Sequence, residues 1–226
     1  MSDFSAHYGH WGLVVIMVVI ASWLLYSYAA PRSWREWSGA GLVQAFIIAL
    51  YAEMYGFPLT IYLLTAVFGL DLPLTSYSGH LWATLLGYGE GGATVEMFLG
   101  LAFVFAGIAL LIEGWREVYR ASRDGRLVRE GLYGVVRHPQ YLGIVLALFG
   151  QLIHWPTVLT LALFPVIVWV YVRLARREEA QLVRTFGEEY RAYQRRVPMF
   201  LPRWRDWRRF LREQRASARD TTGTRY

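Results

Sequence analysis

From Trp11 to Ala30 the chain runs for 20 residues without one charged side chain. A helix of that length is about 30 Å long, the thickness of a bilayer's hydrocarbon core. Lipid offers the backbone no hydrogen bonds, so the segment must satisfy its own and reads as a spanning helix. Trp11, Trp23, Tyr26 and Tyr28 lie toward its ends, where aromatic belts belong, and Pro31 ends it. The run has no basic flank before it and no A-x-A site after it, so it is read as a span and not as a cleaved leader. Composition agrees: 55% of the residues are hydrophobic and 16% aromatic, which fits a chain for which lipid is much of the solvent.

Further apolar runs follow. Gly39 to Gly69 is too long for one straight crossing, holds Glu53 near its middle, and should kink or break at Pro58. A carboxylate at that depth is costly and is expected to face a protein interior or a water-filled cavity. Asp71 to Thr94, with His80 and Glu90, reads as a loop. Its glycine run (Gly87, Gly89, Gly91, Gly92) follows no strand and is discounted as a phosphate loop. Val95 to Ile112 is a third span, and the helix then leaves the bilayer through Trp115, Arg116, Tyr119, Arg120 and Arg123. Tyr141 to His154 and Thr157 to Val172 form a tight hairpin around a His-Trp-Pro turn, its first arm short and starting at Pro139 in the N1 position. Arg173 to Tyr193 should be helical, Trp204 to Arg215 a basic helix at the membrane surface, and the residues from Ser217 a tail. The fold class expected is an all-α polytopic membrane bundle of about five spans with a cytoplasmic helical tail. It divides into residues 1–112, 113–202 and 203–226.

Charge orients the bundle. Every Arg lies in the connection after Pro31, in the 113–140 stretch or after residue 172, and there is no Lys. The N-terminus, the 71–94 loop and the His-Trp-Pro turn carry none. The positive-inside rule then puts the N-terminus outside and the C-terminus in the cytoplasm of what reads as a bacterial inner membrane. The net charge of +6 is matched to lipid headgroups and topology, not to nucleic acid. The absence of Cys excludes disulfides, thiolate metal sites and a Cys nucleophile. No metal is expected, because one His beside two Glu lacks HxxE or HExxH spacing. A Ser-His-Asp triad is not expected either, because there is no nucleophile elbow.

Two polar stretches therefore meet at the cytoplasmic face: Arg126 to Gly143 (RLVREGLYGVVRHPQYLG) and Arg173 to Tyr193 (RLARREEAQLVRTFGEEYRAY). Taken alone, Arg137 and His138 suit an interfacial anchor, or a helix start able to hold a carboxylate or phosphate. The order GLYxxxRHPxYxG, short apolar hairpin, R...EExxLxxxFGxxYxxY and VPxxxP over residues 113 to 202 resembles the isoprenylcysteine carboxyl methyltransferase family. It is also similar to related membrane methyltransferases for phospholipids and small thiols. Membrane sterol reductases that use NADPH share a similar C-terminal layout, and a non-enzymatic membrane protein is the third reading. The resemblance implies S-adenosylmethionine as cofactor, bound at the cytoplasmic end of the last helices. Carried over by motif, its contacts are Leu127, Val128, Tyr133, Arg137, His138, Pro139, Gln140, Tyr141 and Glu178. Glu178 would meet the cofactor's ammonium group, and His138 with helix N–H groups its carboxylate. The family's substrate-holding Arg falls on Leu174 here, with Arg173 one residue away and Arg176 nearer the Glu. Arg173, with Glu178 as the catalytic pair, and Glu53 are the expected substrate-side residues. The acceptor implied is an amphiphile or small thiol drawn from or near the bilayer.

Overall fold

The computed structural model describes residues 8–29, 34–70, 72, 79–123, 127–204, 206 and 208. The regular elements among them are all helical. Expectations placed on Pro31, on most of the 204–215 helix and on the tail fall outside the described residues.

The chain divides into two compact units, residues 1–108 with 144–174 and residues 109–143 with 175–226. The first unit begins with α1 (Trp11–Ala29) and α2 (Trp34–Tyr51). On α1, Val15, Ile16, Val19, Ile20 and Trp23 are at least half exposed while Val14 and Leu25 are buried. So broad an apolar exterior is what lipid, and not water, would cover. Helix α2 instead turns Ala40, Val43, Phe46, Ile47 and Leu50 into the core. It ends in a π-helical turn, Ala52–Gly56, and the chain breaks at Phe57 and Pro58 before α3 (Leu59–Phe68). The break expected at Pro58 is thus present. The carbonyl ends it frees are used: Gly9 and His10 donate their N–H groups to Gly56 and Tyr55.

Glu53 repairs the other side of the break. Its carboxylate, 5% exposed, accepts the N–H of Thr60 at 2.7 Å in the first turn of α3. The Thr60 hydroxyl in turn accepts the N–H of Val158 at 2.9 Å. A carboxylate at a helix N-terminus meets both orphan donors and the helix dipole.

The region expected to be a loop at 71–94 holds a short helix, α4 (Leu81–Leu86), and the start of α5 (Gly89–Arg123). The apolar LWATLL segment is long enough for one helical turn and more, and Gly87, with φ of 73°, supplies the left-handed cap that separates it from α5. His80 is buried and lies 3.7 Å from Glu96, against the rings of His154 and Trp155.

Helix α6 (Pro139–His154) starts at Pro139 as expected, and α7 (Val158–Phe186) returns from the His-Trp-Pro turn. Thr157 caps α7 in a reciprocal box: its N–H donates to the Thr160 hydroxyl at 3.0 Å, and the Thr160 N–H donates to the Thr157 hydroxyl at 3.1 Å. Helices α5 and α6 approach backbone to backbone. A Cβ on Gly100 would lie 2.6 Å from the Gly150 carbonyl oxygen, and one on Gly150 would lie 2.5 Å from that of Gly100. Small residues at such a crossing are how helices pack where lipid gives no hydrophobic drive.

Helix α7 joins two stretches that the sequence separates at Arg173. It runs 29 residues without interruption through Pro165, so the apolar return arm and the polar 173–186 stretch are one helix. It ends at Gly187, whose φ of 55° disfavours residues with a Cβ, and α8 (Glu188–Arg196) follows. Four helices among the described residues are long and apolar enough to cross a membrane: α1, α2 with its π turn, α5 and α7. Helix α6, with 16 residues and a length of about 24 Å, is the short fifth arm.

Candidate functional site

The second unit is assembled around one short 3₁₀ turn, Gly131–Gly134. The Leu132 N–H points into the Glu117 carboxylate of α5, at 3.0 and 3.1 Å from its two oxygens. Gly131 is required there twice over. Its φ is 60°, and a Cβ would run into the same carboxylate. This staple delivers Tyr133, buried, to the wall of a cleft, and the Tyr193 hydroxyl locks it by donating to the Tyr133 carbonyl at 2.6 Å.

Arg137 and His138 follow immediately before α6. Their backbone N–H groups donate to the carbonyls of Pro198 and Met199 at 2.9 and 3.3 Å, so the VPxxxP segment is sewn along them. The His138 carbonyl accepts the Leu142 N–H at 3.0 Å and opens α6. Its ring stacks on Tyr141, with centroids 5.5 Å apart and planes within 1°.

The two adjacent glutamates of α7 part company. Glu179 is buried: its Oε1 accepts from Arg137 Nε at 2.7 Å and lies 3.1 Å from His138 Nε2, and its Oε2 accepts from Gln194 Nε2 at 2.9 Å. Glu178 is half exposed and sits 3.5 Å from His138 Nδ1. His138 therefore stands between two carboxylates. Burial pulls its pKa down, but the hydrogen bonds and charges of Glu178 and Glu179 outweigh that and hold it above the ordinary histidine value. Burial, with Glu178 and Glu117 nearby, pushes the Tyr133 hydroxyl well up, so it stays a neutral donor.

These groups frame a partly open cleft of about 180 Å³. Leu127, Val128, Tyr133, Arg137, His138, Gln140, Tyr141 and Glu178 line it, joined by Val118, Leu182, Phe186, Tyr190 and Tyr193. Of the residues carried over for the cofactor, only Pro139 is not in the lining; it is fully buried behind it. Leu182 and Phe186, four residues apart on α7, pack on the buried cluster of Tyr190, Tyr193 and Val197. The sequence placed Glu179 in the cluster without a role, and singled out neither Glu117 nor Gln194. Glu179 adjoins Glu178 and Gln194 adjoins Tyr193 of the motif, whereas Glu117 lies 14 residues before the motif's first residue, Gly131, and carried no such signal.

Arg173 and Glu53 are not among the lining residues. Both belong to the first unit. Arg173 is exposed, with its guanidinium 5.2 Å from the Trp169 ring centroid. Glu53, bonded to Thr60, borders a separate cavity of about 10 Å³ with Tyr8 and Thr157, room for about one water.

Together, fold and cleft define an all-helical membrane protein whose second unit carries a polar, aromatic-walled cleft. Residues 92–189 match the phospholipid methyltransferase family, in line with the resemblance read from the motifs. The protein-S-isoprenylcysteine O-methyltransferase of Schizosaccharomyces pombe is 32% identical over 84 residues, 37% of this chain and 36% of that one. The methanethiol S-methyltransferase of Pseudomonas deceptionensis is 33% identical over 123 residues, 53% of this chain and 44% of that one. Protein-S-isoprenylcysteine O-methyltransferase B of Arabidopsis thaliana is 32% identical over 84 residues, 37% of this chain and 43% of that one. The matched region spans less than half the length of each of these relatives. No solved structure matches.

Proposed function

We propose that the chain is an integral-membrane methyltransferase that uses S-adenosylmethionine and methylates an amphiphilic or small apolar acceptor. An isoprenylcysteine-like carboxylate, a small thiol and a lipid are the candidate classes. The observation that carries this reading is that motif residues from three separate stretches of chain, 127–133, 137–141 and 178, line one cleft. The names of the relatives support the reaction class. The donor set suits a zwitterion bearing an aromatic ring: one half-exposed carboxylate, a paired imidazole and a wall of tyrosines.

Bound there, the cofactor supplies an electrophilic methyl group on a sulfonium whose sulfur departs neutral, so little proton traffic is needed. Positioning and exclusion of water then dominate what the protein contributes. Glu178 is assigned to the ligand's ammonium group, which suits a carboxylate whose other partner is a single imidazole at 3.5 Å. Gln140, at the start of α6, is assigned to its carboxylate, where the helix N-terminus favours an anion, while His138, its ring nitrogens on Glu178 and Glu179, holds Glu178 in place. Leu127, Val128, Tyr133 and Tyr141 hold the apolar and aromatic part. Arg173, exposed beside Trp169, is proposed to orient an anionic acceptor. Glu53 is left out of this assignment because its carboxylate is spent on Thr60. The distribution of Arg supports a cytoplasmic cleft with the N-terminus outside, and the Arg-only composition is the basis for reading the membrane as a bacterial inner membrane.

Labelled S-adenosylmethionine, incubated with the purified protein and fractionated lipid extracts or small thiols, tests the reaction. Transfer of label to one acceptor class, lost in Arg173→Ala with binding of the product cofactor unchanged, is the expected result. Full transfer by Arg173→Ala would remove Arg173 from the site, and no transfer to any acceptor would count against a methyltransferase.

A further inference from the structure

We infer that Glu179 is the positioning residue of this cleft: it fixes the facing of His138 toward Glu178 and fastens the 194–199 segment behind the pair. The inference rests on the methyl-donor reading of the cleft and adds a residue that reading does not use.

Glu179 does not line the cleft and is 7% exposed. Three donors share its two oxygens: Arg137 Nε, His138 Nε2 and Gln194 Nε2. A buried carboxylate so satisfied is rigid, because releasing any one donor leaves a desolvated charge or amide behind. With Nε2 held on Glu179, the opposite ring nitrogen, Nδ1, can face only Glu178, the carboxylate that borders the cleft. Arg137 completes the fixture. While Nε is on Glu179, Nη1 donates to the carbonyls of Gln194 and Val197. That use of two guanidinium edges at once is one an ammonium cannot reproduce. The groups facing His138 are Glu178 and Glu179 from α7, Tyr141 from α6 and Phe200 from the C-terminal segment, with Arg137 adjacent on the other side of the shared carboxylate. Glu179 is thus one of only two charges among them that hold a proton on His138.

A merely structural Glu179 and a positioning one differ in what titrates. The test follows the His138 imidazole by NMR in the detergent-solubilised full chain, and measures S-adenosylhomocysteine affinity by calorimetry from pH 6 to 9. Wild type, Glu179→Gln, Glu179→Asp and Arg137→Lys are compared, each with its Tm. Glu179→Gln should lower the His138 titration midpoint, cut affinity about tenfold or more, the scale of one lost charged hydrogen bond, and move the loss of affinity to lower pH. Glu179→Asp should restore part of both effects, and keeps the test valid if the amide variant does not fold. Arg137→Lys should lose affinity with a smaller change at His138. An unchanged His138 midpoint in both Glu179 variants, with affinity tracking Tm alone, would overturn the inference. If wild type binds no S-adenosylhomocysteine the cofactor reading fails, while the His138 midpoint still decides the role of Glu179.

Discussion

At the scale of single residues, the division of labour between Glu178 and Glu179 carries most of the chemistry. Successive helical residues point about 100° apart, so one of the pair can border a cleft while its neighbour is buried. The EE dipeptide was legible in the sequence; which Glu does what was not, because the answer depends on Gln194, 15 residues on and in another helix. His138 gives a prediction with a definite sign. Its pKa is raised in the folded state, so its contribution to stability is fully present below the ordinary value of about 6.5 and fades as pH rises through the folded value. The Tm gap between wild type and His138→Gln should therefore be widest near pH 6 and narrow toward pH 9. A gap that widens with pH would contradict the assigned ion pairs. The Tyr193 hydroxyl, buried on the Tyr133 carbonyl, should be worth about 1 kcal/mol in Tyr193→Phe, with denaturation curves as the check and no loss at all as the contrary result.

At the scale of elements, two features were readable and two were not. The helix break at Pro58 and the α6 start at Pro139 were, because proline's missing N–H and fixed φ act locally. The unbroken α7 was not: hydropathy changes sign at Arg173 while the helical phase simply continues, and Pro165 sits inside without ending it. Glu53 was placed correctly as a costly buried carboxylate, yet its partner is the backbone of α3 seven residues on, a contact that exists only after the chain has turned at Pro58. The α5–α6 crossing gives the sharpest test at this scale. Gly100→Val or Gly150→Val forces the helices apart at a backbone contact and should cost about 1–3 kcal/mol of overpacking or more. A thermal unfolding series in detergent reads this out, and a Tm equal to wild type would show that the two helices do not meet there. Thr157→Ala should remove the reciprocal cap of α7 at a cost of about 1 kcal/mol, measured in the same way.

At the scale of the whole molecule, the membrane reading rests on exposed apolar helix faces and on where Arg is placed, and both were visible in the sequence. A chain without Cys is a clean background for topology. In inside-out vesicles, Arg195→Cys should react with an impermeant thiol reagent and Gly91→Cys should not, with the opposite pattern in right-side-out cells. Reversed labelling would invert the proposed orientation. The acceptor was not legible, because acceptor recognition depends on how apolar spans pack and not on a local motif. The central claim concerns the cleft. Calorimetry on the detergent-purified chain, titrated with S-adenosylhomocysteine and separately with NADPH, tests it most directly. The account predicts saturable binding of S-adenosylhomocysteine that Glu178→Gln abolishes, and no binding of NADPH; binding of NADPH alone would contradict it.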